Sequence, residues 1–355
     1  MILSKMWERK IFYNILKFTF LFLGSIFIVV IFIDLSIHGA KILSHSKTSV
    51  FIISKYYLNL FFIQFNLFLA LTFMLAIIKI LSDMNIHHEL TALRMAGISA
   101  KMLSRPFIII AIFFALLSYL NYQYFYPNAL NFKDNFKEKF LKKTTYKKKL
   151  LPNVIYLDDS TKIVYQKYDL AKKTLFDVYF IVKSNSDIWH AKYLYLDENE
   201  SIGKYVDHLI KKDDCFQKES SFQSYKFESI QLNKNANMLV PFENRSIQSL
   251  YKQTIAATIC QKEKNELTSY LNFKLAMPLV PILIVIAIFP YLIAFSKNIS
   301  IFFISAFAIF GFVIFHTLMD SALILGENSA VSPYIIMWLP VGLIFFIFGR
   351  KYIKI

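Results

Sequence analysis

Six long apolar runs decide what this chain can fold into, because an α-helix needs about 20 mostly apolar residues to cross a bilayer. They fall at about 11–37, 57–81, 102–126, 270–295, 299–325 and 333–348 of the 355 residues. The hydrophobic share of 56% stands above the roughly 45–50% of soluble domains, and the excess sits in these runs. Pro106 enters the third run and Pro127 closes it. Pro278, Pro281 and Pro290 lie in the fourth, where neighbouring helices can re-satisfy the freed backbone groups. The first run is too long for the apolar core of a signal peptide and lacks a small-residue cleavage site, so it reads as an uncleaved first span. The expected fold class is an α-helical membrane protein with six transmembrane helices, three before and three after a polar interval at 127–269.

Charge sets the orientation. With the N-terminus inside, one side collects Lys5, Arg9, Lys10, Lys17, Lys79, Arg94, Lys101, Arg105, Lys297, Arg350, Lys351 and Lys354 against Glu8, Asp83 and Glu89. The short loops opposite hold only Lys41, Lys47 and Lys55. Cytoplasmic loops carry the excess of Lys and Arg. Both termini are therefore expected in the cytoplasm, and 127–269 outside, in the periplasm of a two-membrane cell. The net charge of +16 divides between these flanks and a lysine-rich stretch at 133–149. That stretch is either a solvated extension of the third helix or a basic collar near anionic headgroups. Neither is a nucleic-acid footprint, and no nucleic acid is expected as a partner.

Beyond about 150 the pattern changes to period two. Val154–Leu157, Lys162–Tyr168, Leu175–Lys183, Trp189–Leu196 and Ser221–Leu232 alternate apolar with polar residues between turn clusters, which predicts an all-β jelly roll or sandwich over about 150–245. From Ser246 the period becomes helical, with Ile247, Leu250, Tyr251, Ile255 and Ile259 on one face. An amphipathic helix over about 246–265 should lead into the fourth span. The expected organisation is thus 1–126 for the first three spans, 127–269 for the inserted domain and 270–355 for the last three. Cys215 and Cys260 both fall in the inserted domain, where they either pair or stay free.

The usual catalytic signatures are missing. There is no Gly-x-x-x-x-Gly-Lys-[Ser/Thr] loop and no Gly-x-Ser-x-Gly elbow, and His87-His88-Glu89 lacks the second histidine of a zinc protease helix. The seven histidines, at 38, 45, 87, 88, 190, 208 and 316, show no metal-ligand spacing. Neither an enzyme nor a metal centre is expected. Ionisable residues inside spans mark functional sites by default. Asp34 and Asp320 qualify, with His316 one helical turn before Asp320. They are either hydrated near the interface or line a polar cavity, between the first and fifth spans, that accepts a headgroup.

The connection between spans two and three, 85–99, is the most informative stretch. A short helix near 84–98 is expected, with Leu90, Leu93 and Ala96 on one face and Gly97 as its C-terminal stop. Such a helix could lie on the membrane or serve as the knob by which a transporter half engages a soluble ATPase. The residues alone support both.

At this loop the chain resembles the LptF/LptG (YjgP/YjgQ) family, the permease pair of the lipopolysaccharide export ABC transporter. The family's run Glu-Leu-x-x-Leu-[Arg/Gln]-x-[Ala/Ser]-Gly-[Ile/Phe]-[Ser/Thr] is matched by Glu89-Leu90-Thr91-Ala92-Leu93-Arg94-Met95-Ala96-Gly97-Ile98-Ser99. Glu266-Leu267 with Phe273-Lys274-Leu275-Ala276-Met277-Pro278-Leu279 is similar to its entry to span four. Gly311-Phe312, Ser332-Pro333 and Trp338-Leu339-Pro340 are similar to its closing hairpin.

The resemblance implies a periplasmic jelly-roll domain between two sets of three spans, in a multi-pass protein of the bacterial inner membrane. It implies a paralogous LptF/LptG-type permease as partner, a separate cytoplasmic ABC ATPase dimer that keeps ATP and Mg2+ for itself, and a periplasmic LptC/LptA-like jelly-roll bridge that receives lipopolysaccharide. This chain would need no cofactor. Glu89 would be the acidic residue of the coupling helix, accompanied by Leu90, Leu93, Arg94 and Gly97. Lys41 is the nearest match to the basic residues that line the first span in some members. A permease for another envelope lipid and a membrane-anchored envelope receptor are the rival readings, and one sequence does not separate F-type from G-type.

Overall fold

The computed structural model describes residues 5–43, 50–136, 153–158, 161–169, 174–182, 187–196, 201–212, 215–227, 241–255, 261–293 and 301–353. They form two compact units, one helical and one built around the inserted sheet. The helical unit opens with α1 (Met6–Leu43) and α2 (Val50–Ile86), followed by the short α3 (Glu89–Met95) and by α4 (Ala100–Leu120). A π-helical turn, Asn121–Phe125, joins α4 to α5 (Tyr126–Phe136). After the insert come α6 (Ile247–Ile255), α7 (Gln261–Ala276), α8 (Val280–Ile293), α9 (Ile301–Glu327) and α10 (Pro333–Ile353).

Six stretches of these helices are long and apolar enough to cross a membrane: Met6–Gly39, Val50–Ile86, Ala100–Lys133, Lys264–Ile293, Phe302–Glu327 and Pro333–Ile353. The chain is an α-helical membrane protein with six spans and an inserted all-β domain. Its helical core is built from rings and branched chains, with Ile15, Phe73, Ile77, Phe107, Phe114 and Phe289 fully buried. Phe73 meets Phe114 edge-on at 5.2 Å, and Phe107 packs on Phe289 at 5.3 Å. Lipid tails are as apolar as these side chains, so between spans the gain comes from close packing rather than from excluding water.

Polar pins add direction to that packing. Tyr119 donates to the Leu275 carbonyl at 2.7 Å, and the Trp338 indole donates to Asn272 Oδ1 at 3.1 Å. The Lys274 side chain is buried, with its ammonium 5.3 Å from the Tyr126 ring centre. Gly326 of α9 lies so close to α7 that an added Cβ would sit 2.5 Å from Ser269 Oγ.

Three sequence expectations about the third and fourth spans are corrected. Pro127 does not close the third helix, which runs on to Phe136. Proline removes one backbone donor and crowds the carbonyl four residues back. Here the preceding turn is π-wound, with Tyr126 N–H reaching the Asn121 carbonyl, and the widened turn takes up the proline. Pro106 lies inside α4 rather than at its start. The fourth span is likewise longer at its front: Lys264–Ile293 is helical, interrupted only by a 3₁₀ turn at Met277–Leu279 where Pro278 falls.

The second unit is a six-stranded antiparallel sheet in sequence order: β1 (Asn153–Asp158), β2 (Thr161–Asp169), β3 (Thr174–Val182), β4 (Asp187–Leu196), β5 (Ser201–Lys212) and β6 (Cys215–Phe227). Ladder pairing lapses along one row that crosses five strands, at Gln166, Asp177, Lys192, Tyr205 and Gln223. Asp177 and Tyr205 in that row have positive φ, 54° each. Across the row the inward residues are three apart instead of two: Leu175 and Val178, Ala191 and Leu194, Gly203 and Val206. An unpaired residue of this kind bends a strand and re-aims its side chains. The row lets both halves of one sheet bury into a single core of Ile163, Tyr165, Leu175, Val178, Phe180, Ala191, Leu194, Val206 and Phe227. This gives the domain its jelly-roll-like character.

Strand β5 is an addition to the strands expected from the sequence. Its alternation is hidden by Gly203, by the positive-φ Tyr205 and by a register shift between His208 and Leu209. Gly203 is required there, because a Cβ would meet Val206 and Phe227 side-chain carbons at 2.7 and 2.8 Å. The basic stretch beyond 136, the side chain of Cys215 and the whole of Cys260 lie outside the described residues.

Candidate functional site

The connection between α2 and α4 is where local chemistry is most exacting. Helix α2 ends at Ile86, and His88 then adopts a left-handed conformation, φ 57°. Histidine tolerates that region better than bulkier or branched residues do. The His88 carbonyl accepts the first α3 bond, from Ala92 N–H at 3.0 Å. Gly97, at φ 80°, ends the helix. Its N–H bonds the Arg94 carbonyl at 3.0 Å, while Ile98 N–H bonds the Leu93 carbonyl at 3.1 Å. These two bonds make a Schellman motif, which satisfies carbonyls the helix end would otherwise leave bare. Ser99 then caps α4, its hydroxyl accepting from Met102 N–H at 3.3 Å.

The result is a knob of about two turns fixed at both ends. Leu90 is buried in the same core as the spans, and Leu93 packs against it. Arg94, Met95 and Ala96 are exposed, so Ala96 does not share the buried face expected for it. Glu89 is half-exposed and lies 3.1 Å from Lys10 Nζ of α1. Lys10, absent from the sequence-derived candidates, is 79 residues away, a separation at which no local pattern could have signalled the contact.

Asp34 stands on α1 at the start of a second polar group. Its Oδ1 lies 3.0 Å from His38 Nδ1, one turn on, and Tyr57 donates to its Oδ2 at 3.3 Å. Tyr56 approaches Oδ1 at 3.5 Å, with Phe136 stacked on its ring at 4.3 Å. The i, i+4 spacing of Asp34 and His38 was visible in the sequence, whereas Tyr56 and Tyr57 carried no signal beyond being near a helix start.

Asp320 and His316 belong to α9. Asp320 is exposed on the surface of the unit, together with Thr317 and Ser321. His316 is half-buried against Phe312 at 4.4 Å, and its Nε2 has no hydrogen-bond partner. Among the described residues no hydrogen bond or ion pair joins Asp34 to His316 or Asp320. Helix α1 packs on α2 and α4, while α9 packs on α10 and α2. Within one chain, then, the structure does not bring the expected cavity residues together. The Lys41 side chain is outside the described set. Among the described residues, no group of three or more His, Cys, Asp or Glu is placed to hold a metal ion.

Spans one and five share a further property. The apolar window of α1 is 6% buried and that of α9 is 11%, against 61% for the span containing α8. These are the two helices the chain covers least.

The family model described as lipopolysaccharide export system permease LptF/LptG matches residues 9–353, nearly the whole chain. The chain belongs to the LptF/LptG family, a family of transport permeases of the lipopolysaccharide export system. The comparison with individually curated proteins gives no match.

Proposed function

We propose that this member of the LptF/LptG family is the transport subunit that extracts lipopolysaccharide from the bacterial inner membrane and passes it through its β domain towards the outer membrane. The observation that carries the reading is α3. A short helix rooted in the span core by Leu90, with Glu89 and Arg94 turned outward, is built to hand a push from outside to α2 and α4. Its buried anchor and its stop at Gly97 leave it little freedom to yield.

The motor in this reading is a separate cytoplasmic ATPase dimer, on which ATP and Mg2+ reside. Glu89 is the acidic contact to a basic or polar groove, and Arg94 a second polar contact. Leu90 and Leu93 are the anchors. The excess of lysine and arginine on the α3 side supports cytoplasmic termini and a periplasmic β domain.

The bare faces of α1 and α9 support pairing with a paralogous permease. A charge such as Asp320 facing hydrocarbon costs about 2.5–3.5 kcal/mol on insertion scales. The face that bears Asp320, Thr317 and Ser321 is better matched by a polar cavity shared between two permeases than by lipid tails. Asp34, His316 and Asp320 then mark the polar level of that cavity. A periplasmic jelly-roll bridge takes the lipid onward from the β domain.

The test is charge reversal at Glu89. Glu89→Lys should abolish co-purification of the ATPase from detergent extracts while the paired permease remains bound. If the ATPase stays associated and export continues at the normal level, the coupling assignment is wrong.

A further inference from the structure

The helical unit carries a second feature, an apolar groove distinct in chemistry from the polar face of α9. A cavity of about 560 Å³ lies among α8, α9 and α10, with Met74 of α2 at its floor. Its walls are hydrocarbon and ring, including Ile284, Phe307, Phe315 and Leu343. The size falls inside the roughly 300–1,000 Å³ typical of small-molecule sites. Gly311 lines it, and a Cβ added there would meet nothing within 4 Å. Gly311 is itself exposed, so the space is a groove open along the surface of α9.

One end of the cavity carries charge. Tyr291 and Phe348 line it, their rings edge-to-face at 6.1 Å, and the Lys351 ammonium sits 3.6 Å from the centre of the Tyr291 ring. Arg350 lies over Phe346 at 4.7 Å. Both cations are exposed. The next residue, Tyr352, donates to Ser104 Oγ of α4 at 2.7 Å, which puts this mouth at the same end of the bundle as α3.

We propose that the cavity holds one acyl chain of an anionic phospholipid from the leaflet on the α3 side, with the lipid phosphate against Lys351 and Arg350. An apolar groove within a bilayer forfeits dispersion contacts along its walls when empty and offers water no polar partners, so hydrocarbon is its natural filling. Two exposed cations at the mouth select the sign of the headgroup. The proposal stands whether or not the face bearing Asp320 carries lipopolysaccharide, because its headgroup contacts, Arg350 and Lys351, belong to α10 and not to that face, although the groove itself reaches Leu318 beside Thr317. A resident chain would fill the space flanked by the proline-containing helices α8 and α10 and hold them apart as the transporter moves.

The test is native mass spectrometry of the full chain with its accompanying subunits, extracted in mild detergent and exchanged against mixed phosphatidylglycerol–phosphatidylcholine vesicles. One phosphatidylglycerol should be retained per chain. Gly311→Phe, which fills the slot, should abolish that retention. Arg350→Gln and Lys351→Gln should each lower the preference for phosphatidylglycerol over phosphatidylcholine by about fivefold, with thermal stability little changed. The charge variants decide the matter even if Gly311→Phe does not fold. Absence of a retained phospholipid, equal retention of the two lipids, or a preference unmoved by both charge variants would overturn the proposal. So would a photoreactive residue at 308 that captures another polypeptide instead of lipid.

Discussion

Lys10 of α1 and Glu89 of α3 form an ion pair, with the ammonium 3.1 and 3.4 Å from the two carboxylate oxygens. It ties the first span to the connection between the second and third. Both side chains are well exposed, and such pairs contribute about 0–1 kcal/mol. The contact therefore matters less for stability than for where it holds Glu89.

That distinction is measurable. A double-mutant cycle on Lys10→Ala and Glu89→Ala should give a coupling below about 1 kcal/mol in thermal unfolding. Lys10→Ala should nonetheless strengthen ATPase association, because it frees Glu89 for the intermolecular contact. Weaker association of Lys10→Ala would mean that Lys10 itself touches the ATPase.

Gly97 should tolerate no side chain with a branched β-carbon. Holding an L-residue at its left-handed φ of 80° costs roughly 1–2 kcal/mol. Gly97→Val should lower the thermal midpoint and weaken ATPase association together, whereas Gly97→Asn should do less on both counts, since asparagine accepts that conformation. Equal behaviour of the two variants would remove the backbone argument.

Gly326 and Ser269 make a sharper packing test. Gly326→Ala places a methyl 2.5 Å from Ser269 Oγ, so α7 and α9 must separate or the serine must rotate. Overpacking of this kind costs about 1–3 kcal/mol. Ser269→Gly in the same chain should restore most of the lost thermal stability. A double variant no better than Gly326→Ala would show that the close approach of α7 and α9 does not set the cost.

In the β domain, Asp207 accepts hydrogen bonds from Lys218 and Ser221, which hold its carboxyl below the usual range. A depressed carboxylate adds stability above its unfolded value of about 3.9 and loses it as pH falls through the lower folded value. Acid unfolding followed by Trp189 fluorescence should therefore steepen in that window. Asp207→Asn should flatten it by lowering stability slightly at neutral pH while leaving stability at the acid end nearly unchanged.

What could be read from the sequence was what depends on neighbours. The position of α3 and its stop at Gly97 follow from residues within one or two turns of each other. What could not be read depends on distance or on a neighbour's distortion. Lys10 meets Glu89 only because two spans pack side by side. Pro127 fails to stop its helix only because the turn before it widens. Strand β5 was hidden because a bend crosses the whole sheet at Tyr205 and shifts which residues point inward. The cavity among α8, α9 and α10 left no trace in an apolar run that reads the same whether packed or hollow.

The most direct test of the transport reading is the lipid that meets α9. A photoreactive residue placed at Thr317, on the outward face beside Asp320, should give a lipopolysaccharide adduct in native membranes when irradiated. The same residue at Met319, which is fully buried, should give none. An adduct at 317 alone is the predicted result. No lipopolysaccharide at 317, or another envelope lipid in its place, would contradict it.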